Sequence, residues 1–107
     1  MKQEQFDILL SQTVESINNL LKVKGGEYAS DQDRLSNFRR GAALCGITPL
    51  QVAFIYASKH YDAIATYIRD DASGTERQRS EGIEGRLDDL INYAILIKAL
   101  VVDSGGG

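Results

Sequence analysis

The sequence is short of several things at once, and each shortage removes a class of protein. It holds one cysteine, one histidine, one proline and no tryptophan in 107 residues. A lone cysteine cannot close an internal disulfide, which excludes the stapled architecture of small secreted domains. Cys45 falls at apolar spacing in an expected helix and reads as a buried thiol in a reducing compartment. A lone histidine, His60, excludes a histidine-rich metal centre. Basic charge is not in excess: 12 Lys and Arg stand against 15 Asp and Glu, a formal charge of −3. That leaves no electrostatic footprint for duplex nucleic acid. No uninterrupted apolar stretch of the kind that makes a signal peptide or a membrane span is present, and Met1-Lys2-Gln3-Glu4-Gln5 leads into mixed polar and apolar sequence. A cytoplasmic protein is the expectation. Strand signals and internal repeats are also missing.

What is present is ordinary globular composition, 43% hydrophobic and 25% charged, patterned at helical spacing. A chain of this length makes one domain and buries only about two-thirds of its unfolded surface, so self-association is expected to add stability. Phe6, Leu9, Leu10, Thr13, Ile17, Leu20 and Leu21 form the stripe of a first helix over residues 5–24, with Gly25-Gly26 as its left-handed C-cap. Asp31 is a candidate N-cap for a second helix, 32–45, whose stripe is Leu35, Phe38, Ala42 and Cys45 before Gly46. Thr48-Pro49-Leu50-Gln51 announces a third helix through a capping box and a proline at the first helical position, with Ile47 placed to staple to Val52. Its seam is Leu50, Phe54, Ala57, Tyr61, Ile64 and Ile68, widened by Val52, Ile55 and Tyr56. Residues 70–80 lack apolar periodicity and read as an exposed loop. A fourth helix over 81–102 carries Ile83, Leu87, Leu90, Ala94, Ile97 and Val101. The fold class is therefore all-α, a single-domain bundle of about four helices over residues 1–103, oligomeric, with a glycine-rich tail at 104–107.

Three polar clusters are candidates for chemistry. On the fourth helix Glu81, Glu84, Asp88 and Asn92 share a face, with Asp89 beside them. Acidic residues in a first turn also suit the helix dipole, so a plain solvated face accounts equally well for Glu81 and Glu84. The same face turns apolar at Ile95, Ala99 and Val102, which implies a covering neighbour and a partner for the carboxylates. Magnesium or manganese suits such all-oxygen donors; the competing structural reading pairs Asp88 or Asp89 with Arg86 or an arginine of the second helix. The second cluster is Lys24-Gly25-Gly26-Glu27-Tyr28 with Asp31, Asp33 and Arg34, where a lysine, a carboxylate and an aromatic can meet a phosphate, a metal and a base. Taken alone, the two glycines read as a helix C-cap. The third is the stripe Lys59, Asp62, Thr66 and Arg69 with His60 beside it, or simply a solvated face. Arg34, Arg39 and Arg40 add cations on the second helix that can bind phosphate if they face the acidic helix.

The run Lys24-Gly-Gly-Glu-Tyr28, together with Glu81-x-x-Glu84-x-x-x-x-Asp89-x-x-Asn92-Tyr93, resembles the small helical phage and prophage domains called nucleotide modification associated domain 1. More distantly it is similar to the MazG-like all-α nucleotide pyrophosphohydrolases. The similarity spans most of the chain from Lys24 to Leu100. It implies an oligomeric bundle, a nucleotide ligand and, in the MazG group, magnesium held by Glu and Asp. Glu81 and Glu84 match the paired glutamates, Asp89 the aspartate further along, and Glu27 the acidic residue before the family's tyrosine. The MazG pattern also has a second Glu-x-x-Asp element on a following helix, and here no carboxylate follows Asp89 until Asp103. The catalytic set is incomplete, which weighs against hydrolysis more than against binding.

The expected nucleotide contacts are Lys24, Tyr28, Arg34, Lys59, His60, Arg69 and Asn92, and the expected metal ligands are Glu27, Glu81, Glu84, Asp88 and Asp89, holding Mg2+. No catalytic residue is assigned. The expected function is a phage-type nucleotide-binding protein of the host-cell cytoplasm, a homo-oligomer with no duplex nucleic acid or membrane as partner. Three variants stay open: a magnesium-dependent MazG-like pyrophosphohydrolase, a non-catalytic sponge that sequesters linear or cyclic signalling nucleotides to counter host defence, and a protein–protein adaptor.

Overall fold

The computed structural model describes the backbone of residues 1–28 and 33–105, and the side chains within those ranges apart from residues 24–28. Four helices occur in the order α1 (Gln3–Tyr28), α2 (Ser36–Cys45), α3 (Pro49–Ser73) and α4 (Ile83–Asp103), and no strand is found among the described residues. The all-α bundle expected from the sequence is the observed architecture.

The best-announced helix start is built as expected. The Gln51 N–H donates to Thr48 Oγ1 at 3.1 Å and the Thr48 N–H to Gln51 Oε1 at 2.9 Å, closing both halves of the capping box ahead of Pro49. Gly46 ends α2 in the left-handed region at φ 67°, its N–H returning to the Ala42 carbonyl, and the chain turns by 99° between α2 and α3. The two helices pass closely at Gly41, where a Cβ would lie 3.1 Å from Val52 Cγ1.

Leu35, Phe38, Ala42, Val52, Ala53 and Leu100 form the buried core, with Ile47, Tyr93, Leu96, Ile97 and Ala99 partly buried against it. α3 and α4 are the principal pair, α2 packs on α3, and α1 lies along α4.

Several expectations are corrected. α1 runs through Gly25-Gly26 to Tyr28 rather than capping there; glycine in a helix interior costs about 1 kcal/mol against alanine but does not by itself stop the helix. α2 begins at Ser36, later than expected, after a turn in which Asp33 Oδ1 accepts from the Leu35 N–H at 3.1 Å. The expected cap Asp31 lies outside the described residues. Cys45 is exposed, not buried: it occupies the last position of α2, after the buried Phe38 and Ala42 and next to the exposed Leu44.

Along α3 the inner face is Val52, Ala53, Ala57 and His60, whereas Leu50, Phe54, Tyr61 and Ile68 of the expected seam are exposed. Small alanines admit the neighbouring helices closely, and the bulky seam is turned outward. α4 is rotated in the same sense. Asn92 and Leu100 are its buried residues, while Leu87 is 42% exposed. Only Ile17 of the α1 stripe is buried; Phe6, Leu9 and Leu10 are exposed.

α3 continues to Ser73, beyond the expected loop start, and is capped by Gly74 at φ 69°. The exposed segment after it is tied down: Arg77 Nε and Arg79 Nη2 both donate to Asp70 Oδ2 at 2.7 Å, and Arg79 lies over the Tyr67 ring at 5.0 Å. No single helix among the described residues is long and apolar enough to cross a membrane.

Candidate functional site

With the small and polar faces of α3 and α4 turned inward, a half-open cavity of about 530 Å³ lies between the helices, and all four help to line it. α3 contributes Tyr56, Lys59 and His60 at three-and-four spacing. α4 contributes Asp89, Asn92, Tyr93 and Leu96 in the same way, so one face of each helix is committed to the cavity. The turn before α2 and α2 itself add Arg34, Asn37, Phe38 and Arg40, α1 adds Leu20 and Leu21, and Glu81 comes from the segment just before α4. Arg34 Nη2 donates to the Leu21 carbonyl at 3.0 Å, which pins α1 against the α2 turn.

Two side chains of this lining carry buried polar atoms without partners among the described residues. Asn92 is 5% exposed, and neither its Nδ2 nor its Oδ1 has a hydrogen-bond partner among the described residues; the buried Asn37 Oδ1 is likewise unpaired. Leaving a buried amide group unsatisfied costs about 1–3 kcal/mol.

His60 is the centre of a second arrangement. It is 6% exposed, its ring stacks on Tyr93 at 5.6 Å, and its Nδ1 lies 3.5 Å from Asp89 Oδ2 and 3.4 Å from Arg86 Nη1. Burial pushes the imidazole pKa below its ordinary value; Asp89 opposes that shift, and Lys59 and Arg86 reinforce it. The ring is therefore neutral at neutral pH, its Nδ1 accepting from Arg86 or donating to Asp89 according to the tautomer. Arg86 also reaches Glu81 Oε2 at 3.3 Å. The acidic helix thus meets α3 where Asp89 and Arg86 flank His60.

Of the residues singled out in the sequence, Arg34, Lys59, His60, Glu81, Asp89 and Asn92 come together around this one cavity. Arg69 lies outside it, exposed and donating to Thr66 Oγ1 at 3.3 Å. Glu84 is exposed and Asp88 half-buried, and neither is in the lining. The side chains of Lys24, Glu27 and Tyr28 lie outside the described residues. Among the described residues no three His, Cys, Asp or Glu side chains are gathered closely enough to hold a metal ion. The third sequence cluster is divided: Lys59 belongs to the main cavity, while Asp62 and Thr66 line a smaller one of about 320 Å³ beside Arg77, Arg79 and Arg86.

Sequence reasoning missed Asn37 and the role of Arg86. Asn37 precedes Phe38, the most deeply buried large side chain, and a lone amide next to a core residue carries no spacing that marks it. Compared with family models, with curated proteins and with solved structures, the chain gives no match.

Proposed function

We propose that the cavity binds a nucleotide and that the protein acts by holding it, in keeping with the resemblance to the phage nucleotide modification associated domains. The observation that carries this reading is the gathering of Arg34, Arg40 and Lys59 with Tyr56 and Tyr93 around one cavity between the helices. A volume of about 530 Å³ falls within the roughly 300–1,000 Å³ usual for small-ligand sites. Arg34, Arg40 and Lys59 supply cations for phosphate oxygens, and Tyr56 and Tyr93 supply aromatic surface for a base. If magnesium accompanies the ligand, Glu81 and Asp89 are the lining carboxylates that would hold it, and it would neutralise phosphate charge there.

Sequestration is favoured over hydrolysis because the second acidic element of the MazG pattern is missing and Glu84 and Asp88 stand outside the cavity. The working unit is a homo-oligomer in the cytoplasm of the host cell. A panel of linear and cyclic nucleotides, with and without magnesium, tests the proposal when thermal stability and nucleotide integrity are followed together. Stabilisation by a ligand recovered intact is the expected result. Magnesium-dependent cleavage would replace the sponge by a pyrophosphohydrolase. Silence in both channels would sink the nucleotide reading and leave the adaptor.

A further inference from the structure

Resting on that nucleotide reading, we infer that the ligand carries at least two phosphate groups and spans two cavities, the second phosphate held in the arginine-lined cavity of about 320 Å³. The two cavities meet at one ion pair. Glu81 belongs to both linings, and Arg86 lines the smaller cavity while its Nη1 lies 3.4 Å from Nδ1 of His60, which lines the larger. The Arg86–Glu81 contact, 3.3 Å long, marks the junction, and the Glu81 side chain is 51% exposed there, free to swing aside for a ligand.

The smaller cavity has donors to spare. The hydrogen bond and the ion pair of Arg86 both run through Nη1, which leaves its Nε–H and Nη2–H groups without a partner among the described residues. Its side chain is 21% exposed, so a ligand reaches it. Arg77 and Arg79 share the single carboxylate of Asp70, so two positive charges there meet one negative. Phosphate oxygens match planar guanidinium donors two at a time. Asp62, an exposed carboxylate of the same lining, opposes an anion. Across the junction Arg34, Arg40 and Lys59 stand in the main cavity. Cations therefore lie on both sides of the Arg86–Glu81 pair, and one phosphate cannot serve both groups. A phosphate chain meets this demand, and so does the second phosphate of a dinucleotide.

Calorimetric titration of the intact protein tests the inference with the mono- and triphosphates of adenosine, guanosine, cytidine and uridine, and with the cyclic mono- and dinucleotides of adenosine and guanosine. Triphosphates, cyclic dinucleotides or both are expected to bind at least about tenfold tighter than their one-phosphate counterparts. A gain for triphosphates identifies a phosphate chain as the source, and a gain for cyclic dinucleotides a second nucleotide. Asp62→Asn, at an exposed position, is expected to widen that ratio about threefold by removing the opposing charge. Arg86→Gln, its fold checked by circular dichroism, is expected to shrink it toward one. Equal affinity for ligands with one and with several phosphates would overturn the inference and leave nucleotide binding standing. A ratio that Asp62→Asn and Arg86→Gln leave unchanged would also overturn it, because the second phosphate would then lie within the main cavity. If none of these nucleotides binds, both readings fall together.

Discussion

Two titratable groups inside the fold point the same way, and together they set how the protein answers to acid. Asp70 is 6% exposed at the end of α3. Its hydrogen bonds from Arg77 hold its carboxyl below the ordinary value, burial opposes this, and the charges of Arg77, Arg79 and Arg69 add to the lowering. A carboxyl that is more acidic when folded contributes stability above its unfolded pKa and loses it as pH falls through the folded one. His60 is also lowered, by burial first, so the unfolded chain takes up its proton before the folded chain does. Its contribution is full above the ordinary value of 6.5 and falls away below it. Thermal melts across pH should therefore be flat near neutrality, decline first below pH 6.5 and decline again below 3.8. Asp70→Asn should remove the second decline alone; a variant that keeps it would show that another carboxylate is responsible. Asn92 gives a prediction of opposite sign. Asn92→Leu replaces an unpaired buried amide by an apolar group of similar size and should raise the ligand-free melting stability by about 1 kcal/mol.

The capping box that starts α3 was legible because it is a local device: Thr48, Pro49 and Gln51 make their hydrogen bonds within one turn, and no distant neighbour can change that. Thr48→Ala should cost about 1 kcal/mol, read as a lower melting midpoint in denaturant with an unchanged slope. The glycine stop at Gly46 was legible for the same reason. Which face of a helix points inward was not. α3 carries apolar residues on more than one face, and the sequence favours the bulkier seam of Leu50, Phe54, Tyr61 and Ile68. What decides the matter is how closely α2 and α4 can approach, and closeness selects Ala53 and Ala57. The same closeness shows at Gly41, where a Cβ would lie 3.1 Å from Val52 Cγ1 and Val52 would have to give way. Gly41→Val should destabilise by about 1–3 kcal/mol through overpacking, and a variant as stable as the parent would mean that the α2–α3 crossing is looser than described. For the cavity, the members legible in advance were Arg34, Lys59, His60, Glu81, Asp89 and Asn92, polar residues of the clusters read from the sequence. Asn37 was not, because a single amide beside a core phenylalanine has no pattern of its own.

At the scale of the whole molecule the residues that α3 turns outward leave an apolar edge uncovered. Leu50, Phe54, Tyr61 and Ile68 follow one another at intervals of four, seven and seven residues, a heptad-like spacing, and all four are exposed. On α1 the positions Phe6, Leu10, Thr13 and Ile17 recur at intervals of four, three and four, heptad-like as well, with Phe6 and Leu10 exposed and Ile17 the first to be covered. Half of a long helix therefore extends past its own bundle with an apolar edge. The Cα radius of gyration of 16.2 Å exceeds the roughly 13 Å of a compact domain of about 100 residues. One chain thus carries two exposed edges of matching spacing, and pairing between copies would cover both while restoring compactness per subunit. Sedimentation velocity at micromolar concentration should give a dimer or a larger closed assembly. Leu10→Lys and Phe54→Lys, each placing a charge on one edge, should shift it toward monomer and lower its melting temperature, and the two together should add little to either alone if the edges meet each other. A parent protein that sediments as a monomer at those concentrations would sink this account of the seam. Additive effects of the two substitutions would mean that each edge meets a separate surface.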